Sequence, residues 1–117
     1  MFSGNESLYL AVLREFVAEC KANLKDIEDG MNALDAQKAI AAAHKLKGTA
    51  SNVFVTQVYE RAKELELTLR KIKDLTTESA QTEILKLYKM FKALEAAAEA
   101  FISSVENVSP GLKNGSF

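Results

Sequence analysis

Apolar residues recur every three or four positions along most of this chain, and strand-like alternation is nearly absent. Leu13, Phe16, Val17, Cys20, Leu24, Ile27, Met31 and Leu34 draw one stripe, which predicts a helix over residues 7–34. Ser3, Asn5 and Ser7 are candidate N-caps, and there is room ahead of residue 7 for a short extra N-terminal helical turn. Gly30 interrupts the stripe, but Met31 and Leu34 keep its register, so the helix is expected to run through it. Asp35 is a plausible N-cap for a second helix over 36–52, with Ile40, Ala43, Leu46, Ala50 and Val53 facing inward. Asn52 and the β-branched Val53 and Val55 weaken that helix, so a turn is expected at 52–55.

A third helix is predicted over 56–73, capped by Thr56, with Val58, Ala62, Leu65, Leu69 and Ile72 as its stripe. The run DLTTES breaks it, and Thr77 can cap a fourth helix over 78–106. The inward positions of that helix are Ile84, Leu87, Tyr88, Phe91, Leu94, Ala98, Phe101, Ile102 and Val105. Four amphipathic helices with short connections pack most simply as an all-α, antiparallel up-down four-helix bundle. No internal repeat or low-complexity segment is visible.

Length and composition narrow this further. A chain of 117 residues suits a single domain, 1–117, with the bundle over about 7–106 and a flexible tail over about 107–117. The one proline, Pro110, lies in that tail. A net charge of -1 argues against bulk attachment to nucleic acid or to a membrane surface. No apolar run approaches the roughly 20 residues of a membrane span. The N-terminus lacks a basic segment followed by an apolar one, so no signal peptide is expected. Cys20 is the only cysteine; it has no disulfide partner within the chain, and a reducing compartment is the easier reading. Its place in the first stripe marks it as a core residue rather than a reactive one. Tyr59 and Tyr88 read as packing residues with a wet hydroxyl. A cytoplasmic monomer is expected.

His44 is the only histidine, and it lies one step off the inward stripe of the second helix. Its face also holds Gln37, Ala41, Lys47, Gly48 and Ser51. Gly48 sits mid-helix, where alanine would be more stable by roughly 1 kcal/mol. One turn after His44, it leaves space beside the imidazole. No acidic residue occurs between Asp35 and Glu60, whereas Lys38, Lys45 and Lys47 all do. Lys47 is near enough to stabilise a phosphoryl group on the ring. Each feature has a plainer explanation: a solvated histidine, a solvated basic face, a glycine that lets helices approach. What separates the two readings is that all three meet on one surface within one turn.

The string AHKLKGTASNV, residues 43–53, resembles the motif of histidine-containing phosphotransfer (HPt) domains, with matches at His44, Leu46, Lys47, Gly48, Thr49 and Ala50. Gly4, Leu8, Leu13 and Phe16 fit the opening of that family, and Leu65–Glu66 resembles its leucine–acid pair in the following helix. The likeness spans residues 2 to about 105. Ser51 and Phe54 stand where the family often has glycine. The resemblance implies a phosphorelay intermediate. His44, through Nε2, takes a phosphoryl group from a receiver-domain aspartyl phosphate and passes it to another receiver. Lys47 would supply charge and Gly48 clearance. Gln37, Lys38, Ala41, Lys45 and Ser51 would face the partner, a response-regulator receiver domain or a sensor histidine kinase.

The same resemblance puts the Mg2+ ion in the receiver, so no cofactor is expected in this chain. No P-loop or kinase-type glycine-rich loop is present, and the domain reads as a carrier, free-standing or part of a hybrid kinase, rather than a turnover enzyme. The rival is a non-catalytic four-helix adaptor that binds a partner through the second helix, with His44 incidental. A metal-binding bundle is disfavoured by the single histidine and the lack of an inward Glu-x-x-His pair.

Overall fold

The computed structural model describes the backbone of residues 2–52 and 55–108, and the side chains of 11–52 and 55–105. Four helices follow one another: α1 (Phe2–Asn32), α2 (Ala36–Asn52), α3 (Thr56–Ile72) and α4 (Glu78–Val108). Each packs on the next, and α1 closes against α4, as in an up-down bundle. The expected stripes form the core. Phe16, Cys20 and Ile27 from α1 meet Leu46 from α2, Leu65 and Leu69 from α3, and Leu87, Phe91 and Leu94 from α4, all nearly inaccessible. The outer helices have 31 residues each and the inner pair 17 each. The excess length of α1 and α4 is joined at Phe16 and Phe101, whose rings meet edge-to-face at 5.3 Å.

Local chemistry sets the breaks. α1 does run through Gly30, and a Cβ there would stand 2.7 Å from the Ala39 backbone nitrogen. The start of α2 therefore crosses α1 at a point where only glycine leaves room. Leu34, expected on the α1 stripe, is instead outside the helix, 38% exposed and with φ 58°. Its N–H donates to the Met31 carbonyl at 3.1 Å and the Asp35 N–H to the Gly30 carbonyl at 2.7 Å. That is a Schellman ending, in which the left-handed residue turns the chain and its side chain leaves the core side. Asp35 then caps α2, its Oδ1 accepting the Lys38 N–H at 3.1 Å.

Thr77 caps α4 through the Ala80 N–H at 3.2 Å, as expected. Thr56 does not cap α3: it is the first helical residue, and the capping position belongs to Val55, which offers no side-chain acceptor. Ser3, Asn5 and Ser7 lie within α1 rather than ahead of it, and the extra N-terminal turn is a continuation of the same helix. Ile72 and Ile84 are only half-buried. Val53, Phe54 and the tail over 109–117 lie outside the described residues.

Candidate functional site

Helix α2 is built to sit deep with one narrow face outward. Ala36, Ala39, Ala42, Ala43 and Ala50 are all buried, and such small side chains let α2 approach α1 and α3 closely. The remaining outward strip carries Gln37, Ala41, His44, Gly48 and Ser51, all exposed, flanked by exposed Lys38 and Lys45. The residues singled out from the sequence thus share one surface. It is open at its centre: among the described residues, a Cβ added to Gly48 would meet nothing within 4 Å beyond its own helix backbone and chain neighbours. Helix packing inside this chain therefore does not explain the glycine.

The His44 side chain is 62% exposed, yet its ring is anchored. Nδ1 lies 3.0 Å from Oε2 of Glu66 on α3. Glu66 is buried, its side chain 5% exposed, and it gathers three partners. Lys47 Nζ is 3.0 Å from Oε1. Arg70, one turn further along α3, brings Nη2 to 2.7 Å and Nε to 2.9 Å of Oε2. Burial by itself pushes the Glu66 carboxyl up, but hydrogen bonds from Lys47, Arg70 and His44, with the Lys47 charge, outweigh it and hold the carboxyl below its ordinary value.

An ionised carboxylate only accepts hydrogen bonds, so the His44 nitrogen facing it carries the proton. In the neutral ring that leaves the Nε2 lone pair free. Two cations around one carboxylate also leave the surroundings of the ring net positive.

Glu66 and Arg70 are site members that the sequence reading left out of its site. The available signal was the leucine–acid pair at Leu65–Glu66, together with the placing of Arg70 four residues after Glu66, on the same helix face. Nothing in α3 alone indicates that this face meets His44.

The depressed carboxyl gives a pH prediction. A group whose folded pKa is lowered contributes stability that is present above its unfolded value and is lost as pH falls through the folded one. The stability difference between the wild type and Glu66→Gln is therefore expected to shrink as the pH drops below about 4.5. Urea unfolding at several pH values checks this. A difference that stays constant to pH 3 would show that Glu66 gains nothing from its ionised form.

Elsewhere the Cys20 thiol is fully buried and its pKa is pushed up to about 11 by burial, which suits a core residue. Among the described residues no group of three or more His, Cys, Asp or Glu side chains stands ready to hold a metal ion, and no helix is long and apolar enough to cross a membrane. A model of the Hpt domain family matches residues 11–103. No curated protein and no solved structure gives a match.

Proposed function

Since the chain belongs to the Hpt domain family, whose members have a phosphotransfer role in phosphorelays and interact with receiver domains and histidine kinases, we propose that His44 is the phosphoryl carrier and that a receiver domain is its donor and its acceptor. The observation that carries this is the Nδ1 contact to Glu66, which frees Nε2 on an exposed ring.

In the loading step the Nε2 lone pair attacks the phosphorus of an aspartyl phosphate in line. The bond from phosphorus to the aspartyl oxygen breaks, and its electron pair returns to the carboxylate. The imidazole gains positive character as the N–P bond forms, and Glu66 offsets it through Nδ1–H. In the unloading step a receiver carboxylate attacks the phosphorus and the N–P electron pair returns to Nε2. Phosphoryl transfer needs mainly alignment and charge stabilisation, and the site supplies both. Glu66 aims the ring, while Lys47 and Arg70 offer positive charge to the phosphoryl oxygens.

Incubation with phosphorylated receiver domains tests the proposal. An acid-labile, base-stable label on His44, chased onto a second receiver, is the expected result. An adaptor in which His44 is incidental would take no label.

Gly48 provides a separate check. Its open surroundings suit a partner that comes close to the helix backbone beside the ring. Gly48→Gln is expected to stabilise the domain by up to about 1 kcal/mol through helix propensity. The same change is expected to slow loading from a receiver, because the new side chain lies beside His44 on the docking face. Thermal unfolding and quench kinetics measure the two effects. A stabilised variant with wild-type kinetics would remove Gly48 from the functional surface.

A further inference from the structure

Two cations share the Glu66 carboxylate, and the structure holds them in different ways. Arg70 is four residues after Glu66 on α3, so that pair is internal to one helix. Its fork places Nε at 2.9 Å and Nη2 at 2.7 Å from Oε2, the same oxygen that faces His44 Nδ1. Lys47 belongs to α2 and reaches across to α3. Its ammonium meets Oε1 alone, 3.0 Å away and poorly aligned; among the described residues no well-formed hydrogen bond reaches that buried oxygen. Two directed contacts thus tie Arg70 to Glu66, and one poorly directed contact ties Lys47.

Loading of the ring changes the charge balance. In the resting site one carboxylate and two cations leave one positive charge in excess. A phosphoryl group brings about two negative charges at neutral pH and draws on whichever cation can turn to it. Lys47 is three residues after His44 on the same helix, and its flexible stem can carry the ammonium from one oxygen to another. Glu66 is buried and cannot give up both partners, because a buried carboxylate left unpaired is strongly destabilising. One cation has to remain, and the fork on Oε2 is the tighter of the two.

We propose that loading of His44 divides the two cations: Lys47 leaves Oε1 for the phosphoryl oxygens, while Arg70 stays on Oε2 and keeps Glu66 aimed at Nδ1. The inference rests on the carrier reading above and gives each cation its own part in it. Arg70 is then a positioning residue that acts through Glu66, and its charge is felt at the phosphoryl group only across the carboxylate. Without Arg70, Glu66 and the phosphoryl group compete for the single ammonium of Lys47.

NMR of the wild type before and after loading follows each cation without a variant. The Arg70 Nε–H is expected to stay protected from solvent exchange, and the Lys47 ammonium signal to move. An Arg70 Nε–H that loses its protection on loading, or a Lys47 signal that stays in place, would overturn the division. Rates at saturating receiver give a second readout. Arg70→Ala is expected to lower the loading rate about five-fold in the wild type and to add no further loss in Glu66→Ala, whereas Lys47→Ala lowers it in both. Arg70→Lys should restore part of the rate, since an ammonium pairs with the carboxylate but cannot form the fork. An equal loss from Arg70→Ala in the two backgrounds would mean that Arg70 acts on the phosphoryl group directly, and a wild-type rate would leave it a merely structural partner; either result overturns the inference. Label on His44 together with any of these contrary results overturns the inference alone. Failure of every receiver to label His44 overturns the carrier reading, and this inference with it.

Discussion

Replacing His44 by glutamine is expected to leave a folded four-helix domain that accepts no phosphoryl group. The chain has no other histidine, so no second imidazole can take over. The ring is 62% exposed and outside the core, so its removal opens no cavity. A glutamine amide can still donate toward Glu66. The stability change should therefore stay within about 1 kcal/mol, as for most surface substitutions. Loss of function should be complete, because an amide nitrogen has no available lone pair for attack on phosphorus. Circular dichroism and the acid lability of the label provide the two readouts. A phosphoryl label with phosphohistidine stability on the glutamine variant would place the nucleophile elsewhere.

Glu66→Ala is expected to have the second largest effect, a fall of ten- to a hundred-fold in the rate at saturating receiver, equivalent to about 1.4–2.7 kcal/mol of lost transition-state stabilisation. Three contacts disappear together: the anchor on His44 Nδ1, the pair with Lys47 and the pair with Arg70. The ring then samples both tautomers, and only the one protonated at Nδ1 presents the nucleophilic nitrogen. Folding should suffer less. Arg70 is half-exposed and Lys47 a quarter exposed, so both can turn to water once released.

Glu66→Gln should recover much of the rate, because its amide oxygen still accepts from Nδ1–H even though it no longer holds the cations by charge. The nitrogen chemical shifts of His44 distinguish positioning from mere structural support. They should report a single Nδ1–H tautomer in the wild type and a mixture in Glu66→Ala. A wild-type rate in Glu66→Ala together with an unchanged tautomer would reduce Glu66 to a structural ion-pair partner.

The helices were legible because burial follows periodicity. Leu13, Phe16, Cys20, Leu24, Ile27 and Met31 recur at helical spacing and are all buried. The bounds of α2 also followed from local chemistry, since Asp35 is a strong cap and the β-branched residues after Asn52 are poor helix formers. Leu34 was misread because the stripe says nothing about where a helix stops. The backbone hydrogen bonds of the Schellman turn decide that, and they place a leucine where glycine is usual. Thr56 was misread because capping chemistry is available at many threonines, whereas here Val55 occupies the capping position and Thr56 is already helical.

The sequence by itself determined that this chain forms four helices around one core, and that His44, Lys47 and Gly48 share an outward surface. Those are properties of spacing within a single helix, where 3.6 residues per turn make faces readable. Only the tertiary structure decided what surrounds the imidazole. Glu66 reaches its Nδ1 from α3 and holds Lys47 and Arg70 on the same carboxylate. Periodicity reports which side of a helix turns inward, but not the rotation and axial register at which two helices meet. Those are decided by the interlocking of many side chains at once, here by a run of buried alanines that draws α2 down between its neighbours.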